Sequence, residues 1–241
     1  MIFLATDFGL TGPYIGQVKA GLARLVPGMP VIDLFSDLDP FEPKAAAYLL
    51  AAYAQILEPG DVLLAVVDPG VGGDRQPMMM RADGRWYVGP DNGLFELIRR
   101  RAAEVTCEAI TWRPAKLSAS FHGRDLFAPV AACLATGDDV AGEPLMPLSC
   151  DWPDDLPEVV YIDHYGNAMT GLRVAVMPDN AGIIVQGQRL IRSRTFSDRP
   201  EGEAFWYENA NGLAEIAVNK GSAAERFGLK PGIAVVVERS G

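Results

Sequence analysis

Three cysteines and two histidines are all that 241 residues offer for thiol or soft-metal chemistry. Cys107, Cys133 and Cys150 are odd in number and far apart, and no Cys-x-x-Cys or Cys/His cluster occurs. A disulfide framework and a zinc site are therefore not expected, and the cysteines read as small buried hydrophobes. His122 and His164 stand in neither a His-x-x-x-His nor a His-x-Asp spacing, so a mixed metal site with Asp7, Asp68, Asp91 or Asp163 has no support. Positive charge is also scarce: 21 Lys and Arg face 31 Asp and Glu, for a net charge of −10. Without a basic stripe, nucleic acid is not the expected partner. The balance is compatible with a cationic ligand, though acidic proteins are often simply well solvated. No apolar run approaches the ~18 residues of a membrane span. A basic n-region and a long apolar h-region are both missing at the start, so no signal peptide is expected and a reducing cytoplasm is the expected location. Gly70-Val71-Gly72-Gly73 lacks the Gly-Lys-Ser/Thr ending of a phosphate-binding loop and no helical pattern follows it, so nucleotide-phosphate binding is not favoured.

What is present is apolar and periodic. Hydrophobic residues make up 49% of the chain, enough for a substantial core. Ile2 to Ala5, Val31 to Leu34 and Val62 to Val67 read as strands. Pro13 to Leu25 reads as a helix with Ile15, Val18, Leu22 and Leu25 on one face, Pro43 to Leu57 as an Ala-rich helix, and Gly123 to Ala135 as another. This alternation predicts an α/β domain over residues 1–144, with a largely parallel sheet flanked by helices. Pro144, Pro147, Pro153 and Pro157 punctuate a stretch without periodicity, so residues 145–157 read as a linker. Residues 158–241 hold six short strand-like runs: Val159 to Asp163, Ala168 to Val176, Gly182 to Val185, Arg189 to Ile191, Ala214 to Val218 and Ile233 to Val237. With Gly187-Gln188 as a hairpin turn, they predict a smaller all-β, barrel-like domain.

Three segments are built alike, namely Leu4-Ala5-Thr6-Asp7-Phe8-Gly9, Ala65-Val66-Val67-Asp68-Pro69-Gly70 and Val88-Gly89-Pro90-Asp91-Asn92-Gly93. Each is an apolar run that stops at an aspartate with glycine close by. Buried strands would deliver such carboxylates to the carboxyl edge of a sheet, where open α/β sheets bind ligands. Arg75 follows Asp68 by seven residues, across a turn that lets it close on the same place. Both histidines are flanked by Asp and Gly, in Phe121-His122-Gly123-Arg124-Asp125 and Asp163-His164-Tyr165-Gly166-Asn167, and each reads either as functional or as a solvated loop side chain. Phe205-Trp206-Tyr207 beside Asn209 and Gly212 would make a stacking wall for a flat heterocycle, but composition alone favours a core aromatic patch followed by a turn.

Taken in order, Thr6-Asp7-Phe8-Gly9, Asp68-Pro69-Gly70-Val71-Gly72, Gly89-Pro90-Asp91-Asn92-Gly93, Phe121 to Pro129, Ile162 to Asn167 and Tyr207 to Gly212 resemble the S-adenosyl-L-methionine hydrolases (SAM hydroxide adenosyltransferases), relatives of fluorinase and chlorinase. The resemblance spans nearly the whole chain. It implies hydrolysis of S-adenosyl-L-methionine to adenosine and L-methionine, with no cofactor, by a triad carried here by Asp68, Arg75 and His122. Ribose contacts are implied for Asp7, adenine contacts for Asn167 and the backbone near Lys220, and apolar walls for Phe121 and Tyr165. Asp163 would meet the ammonium of the methionine moiety, and Phe41 and Asn211 are implied as further substrate contacts. A homotrimer with its sites between subunits is implied as well. Two positions depart from the family pattern: Ser36 lies where a histidine is usual soon after the second strand, and Ala210 stands where serine is common. The halogenase branch lacks the triad and carries an insertion in the first domain, so the resemblance favours water over halide.

The residue types suit that chemistry. Displacement at C5′ releases methionine as a neutral thioether, so no general acid is needed. Making free hydroxide at pH 7 costs roughly 12 kcal/mol. One arginine ~4 Å away contributes about 4 kcal/mol at an effective dielectric of 20. A base must therefore take the proton as the bond forms, and either Asp68 or His122 could do so. On this expectation Arg75 holds and polarises the water, while the Asp68/His122 pair orients and deprotonates it. A nucleophilic halogenase and a non-catalytic S-adenosylmethionine- or adenosine-binding protein are the alternatives.

Overall fold

The computed structural model describes residues 1–238, so the last three residues of the second expected domain lie outside it. The chain divides into two compact units, Met1–Cys150 and a second from Asp151 onward.

In the first unit, β1 (Ile2–Thr6), β2 (Val31–Phe35) and β3 (Val62–Val66) alternate with helices α1 (Tyr14–Leu25) and α2 (Pro43–Tyr53), the latter followed by a single 3₁₀ turn. The chain continues through β4 (Pro77–Ala82), β5 (Arg85–Pro90), α3 (Glu96–Arg101), β6 (Val105–Ile110), α4 (Ala128–Thr136) and β7 (Gly142–Pro144). The seven strands form one sheet in the order β2-β1-β3-β5-β4-β6-β7. Pairings β1–β2, β1–β3 and β3–β5 are parallel, while β4 and β7 run against their neighbours. Central strands β1 and β3 are buried at every residue, as expected for a sheet covered on both faces. Leu4 and Leu64 pack with Val18 and Leu22 of α1 and Val130 of α4 in one core.

Local departures from the sequence reading have physical causes. Leu25, expected on the buried face of α1, is exposed, and Val26 takes the inward position. The chain leaves helical dihedrals at Val26 (φ −130°), which turns that side chain toward the core. The β4–β5 hairpin escapes helix-strand periodicity, although Asp83-Gly84 is a strong two-residue turn signal; both residues have positive φ, at 47° and 81°. Gly123–Phe127 forms a π-helical turn before α4 rather than continuous α-helix. Pro129 has no N–H to return to the Asp125 carbonyl, which removes one α-helical bond at that point. The cysteines are not buried: Cys133 is exposed on α4, and Cys107 and Cys150 are half-buried.

The second unit holds β8 (Leu156–Ile162), β9 (Ala168–Arg173), β10 (Gly182–Val185), β11 (Gln188–Leu190), β12 (Ala204–Glu208), β13 (Leu213–Val218), the short helix α5 (Ala223–Phe227) and β14 (Val236–Glu238). They make a four-stranded antiparallel sheet, β12-β13-β9-β8, and a three-stranded one, β11-β10-β14. One apolar core joins Val159, Ile183, Trp206 and Ile216. The hairpin turn is Gln186-Gly187 (φ 48° and 76°), one residue earlier than expected, because Val185 pairs with Gln188. The Phe205 to Tyr207 run is itself a strand, and its two-residue period divides the aromatics. Trp206 enters the core, while Phe205 and Tyr207 face the other way and stack with Phe196. Among the described residues no helix is long and apolar enough to cross a membrane.

Candidate active site

The first unit carries a cavity of about 620 Å³ at the carboxyl edge of the parallel strands. Thr6 of β1 lies opposite Val66 of β3, so the residues that follow, Asp7 and Asp68, emerge at the same edge. Both line the cavity, together with Phe8, Tyr14, Phe41, Phe121 and His122. Asp91 reaches that edge too, but its carboxylate accepts the Leu148 N–H at 3.0 and 3.2 Å, and it is not among the lining residues. Of the three similar aspartate segments, one thus anchors a loop.

Asp68, Arg75 and His122 are brought together. Arg75 Nε donates to Asp68 Oδ1 at 2.9 Å, and Arg75 Nη2 donates to Asp68 Oδ2. Arg75 Nη2 also lies 3.0 Å from His122 Nδ1. A guanidinium offers no lone pair, so Nδ1 is the acceptor and the neutral ring carries its proton on Nε2. Burial holds the His122 pKa below its ordinary 6.5, and the Arg75 charge acts in the same direction. The ion pair is well shielded, with the Asp68 side chain 4% exposed and that of Arg75 11%. Arg75 also lies 5.2 Å from the centre of the Phe127 ring. Asp68 and His122 line the cavity, whereas Arg75 is not among the lining residues. The loop that carries Arg75 depends on Gly72, which has φ +77°; a Cβ there would lie 2.5 Å from the Ala119 carbonyl oxygen.

Asp7 is less shielded. Its Oδ2 accepts the Phe41 N–H at 3.3 Å, in a loop where Phe41 itself adopts φ 66°. Burial raises the Asp7 pKa above 3.8, outweighing the hydrogen bond from Phe41, and the Asp68 charge adds to the rise. Phe8, Tyr14 and Phe121 form an aromatic cluster with ring centres 5.5 to 6.2 Å apart. Phe8 and Tyr14 carry no motif signal of their own as site residues, although Phe8 directly follows Asp7 in the chain. Arg124 stacks over Phe121 at 4.9 Å and is held by Asp125 and Gln17.

The second unit has its own cavity of about 690 Å³, lined by Asp163, Tyr165, Asn167, Phe196, Tyr207, Asn219 and Lys220 among others. Asp163 ties its own loop: Oδ1 accepts the N–H groups of Tyr165 and Asn167 at 2.9 Å, and Oδ2 accepts Asn167 Nδ2 at 2.8 Å. A carboxylate can only accept, so the Asn167 amide nitrogen faces Asp163 and Oδ1 faces away. That oxygen is buried and has no hydrogen-bond partner among the described residues. Such an acceptor is costly unless a donor reaches it, which suits a ligand amine. Lys220, which lines the cavity, adopts φ 53° and its ammonium donates to Glu201 at 2.8 Å. Asn211 lines neither cavity; its N–H donates to Asn209 Oδ1 within a turn. His164 is exposed, 5.5 Å from the Tyr165 ring, and lines neither cavity. Ser36 and Ala210 are likewise outside both; the Ser36 carbonyl accepts the Gly9 N–H at 2.7 Å.

Comparison with known proteins gives the same order of segments a common ancestry. Residues 2–142 match the SAM hydroxide adenosyltransferase N-terminal domain, and residues 157–236 match the C-terminal domain of that family. An (R)-S-adenosyl-L-methionine hydrolase of Thermus thermophilus is 42% identical, over 97% of this chain and 98% of the relative. A fluorinase of Actinopolyspora mzabensis is more distant, at 25% identity over 100% of this chain and 97% of its own. That alignment runs to 294 positions, so the fluorinase carries segments this 241-residue chain lacks. Among solved structures, an uncharacterized conserved protein from Thermotoga maritima superposes with a TM-score of 0.89 at 28% identity, over 99% of this chain and 100% of the other. On both halves of its length, the chain belongs to the SAM hydroxide adenosyltransferase family.

Proposed function

We propose that this protein hydrolyses S-adenosyl-L-methionine to adenosine and L-methionine. The water oxygen bonds to C5′ as the C5′–S bond breaks, and that electron pair stays on the departing thioether sulfur. The observation that carries the reading is the Asp68–Arg75–His122 constellation at the cavity edge, next to Asp7.

Asp68 takes the water proton. His122 Nδ1 is committed to Arg75, and protonation there would set an imidazolium against a guanidinium. The depressed pKa of His122 supports the same division of labour. His122 keeps Nε2–H as a donor that orients the water oxygen. Arg75 aligns the pair through its contacts with both side chains. Sulfonium and developing hydroxide lose charge together, so a desolvated site favours the transition state. The neutral leaving group needs no acid, and with Asp68 as the proton acceptor the step balances without a cofactor.

Asp7 accepts hydrogen bonds from the ribose hydroxyls, with Phe41 and Phe121 as apolar walls. In the second unit, Asn167 Oδ1 accepts from the adenine amine, with Tyr165 and the Lys220 backbone beside it, and Asp163 meets the methionine ammonium. Asn211 contributes through the turn it occupies. A homotrimer with sites between subunits, acting in the cytoplasm, completes the reading.

The test is incubation with S-adenosyl-L-methionine in ¹⁸O-water, with and without chloride, followed by chromatography and mass analysis. Adenosine labelled at the 5′ oxygen, with methionine, is the expected outcome. A chlorinated nucleoside would assign the protein to halide chemistry. Tight binding without product would make it a binding protein.

A further inference from the structure

Among the described residues, three acidic residues are buried as whole residues: Asp61, Glu96 and Glu215. Asp61 faces the N-terminal ammonium, and Glu96 faces Arg99 and Arg100. Glu215, 2% exposed on β13, instead receives two neutral donors. Tyr207 O–H donates to Oε1 at 2.6 Å, and Asn209 Nδ2 donates to Oε2 at 2.9 Å. Burying a carboxylate without a cation is unfavourable, and a pure packing role would be served better by an apolar side chain. Burial does push the Glu215 pKa up, with the charge of Asp163 adding to it.

The geometry gives that cost a purpose. Tyr207 pairs with Glu215 across the sheet and forms a wall of the second unit's cavity, alongside Asp163 and Asn167. Asn209 organises the turn that follows β12: its Oδ1 accepts the N–H groups of Asn211 and Leu213, both at 3.0 Å. One carboxylate therefore fixes a cavity wall and the adjoining turn at once. Two oxygens with acceptor sites in a fixed plane can do this; an apolar residue cannot.

We propose that Glu215 is a positioning residue for ligand binding in the second unit, acting through Tyr207 and Asn209 on the affinity for the adenosyl ligand and not on the chemical step. The inference rests on the function proposed above, because it takes that cavity as a substrate subsite.

Glu215→Leu leaves the phenol and the Asn209 amide without their acceptor. Its KM for S-adenosyl-L-methionine, and its Kd for adenosine by calorimetry, rise about tenfold, while kcat stays within about twofold. Glu215→Gln keeps one amide oxygen for Asn209 and offers Nε2–H to the phenol oxygen, so it restores KM to within about threefold of the original. Tyr207→Phe removes one donor alone and raises KM by about threefold without perturbing the fold, which covers the case in which Glu215→Leu does not fold. Unchanged KM in both Glu215→Leu and Tyr207→Phe, with only a lower melting temperature, overturns the proposal and leaves the hydrolase reading intact. A fall in kcat at unchanged KM overturns it as well. An unmodified protein that neither turns over S-adenosyl-L-methionine nor binds adenosine overturns both.

Discussion

Arg75 shows how much one residue can organise through its contacts. It places two donors on Asp68 and a third contact on His122, so it sets a carboxylate orientation and an imidazole tautomer together. Arg75→Ala is expected to lower kcat by at least about a hundredfold, the usual scale for losing a positioned proton acceptor. It also leaves Asp68 shielded and unpaired, which costs about 3 kcal/mol of stability in chemical denaturation. Adenosine binding by calorimetry is retained, since Asp7 and the aromatic walls do not depend on Arg75; loss of binding would sink the division of labour. Two opposite pKa shifts predict the acid limb of the pH profile. Asp7 must be ionised to accept ribose hydroxyls, and its pKa lies above 3.8. His122 must be neutral, and its pKa lies below 6.5. The acid limb of kcat/KM therefore lies at lower pH than an ordinary histidine would place it and at higher pH than an ordinary aspartate would. A profile already falling at neutral pH would contradict the buried, neutral His122. Asp7, Asp68, Arg75 and His122 were legible as residues because apolar runs ending in Asp near Gly are a pattern, and the ordered motifs supplied the rest. The tautomer was not, because it depends on which side of the imidazole a guanidinium occupies.

Among the elements, the loop between β3 and β4 is the one on which the site turns. Gly72 combines positive φ with close approach to the Ala119 carbonyl. Gly72→Ala is expected to destabilise the fold by about 1–3 kcal/mol and to lower kcat, because the loop must move and Arg75 moves with it. Urea denaturation and steady-state kinetics on the same variant check both effects; an unchanged kcat would separate the loop from the chemistry. Helices α1 and α2 and strands β1 and β3 could be read from periodicity, since each buries a regular face or a continuous apolar run, while the edge strand β2, largely unburied, was readable only from its apolar composition. The β4–β5 hairpin could not be found that way, since its signal is the Asp83-Gly84 turn. The π-helical turn after His122 follows from a missing N–H at Pro129, which leaves the hydrophobic pattern unchanged. The same limit applied to Asp91, whose sequence context matches that of Asp68 but whose carboxylate is taken by Leu148.

The molecule as a whole is acidic, with a net charge of −10, while the proposed substrate carries a net positive charge. Long-range attraction should therefore assist encounter. Raising salt from about 10 to about 300 mM is expected to lower kcat/KM by about two- to threefold, with kcat unchanged. A salt-independent kcat/KM would show that the field of the whole protein plays no part. The sequence by itself determined the two-part architecture, the parallel core of the first unit, the β-rich second unit and the candidates Asp7, Asp68 and His122 that line the first unit's cavity. Those follow from local periodicity, from turn residues and from motifs in a fixed order. Only the tertiary structure decided that Asp68 and His122 line a cavity with Arg75 in contact with both, that Asn167 Oδ1 is buried with no hydrogen-bond partner among the described residues, and that Glu215 is buried on two neutral donors. Each of these depends on side chains from separate elements meeting in space, and whether a polar atom finds a partner is settled by packing rather than by its neighbours along the chain.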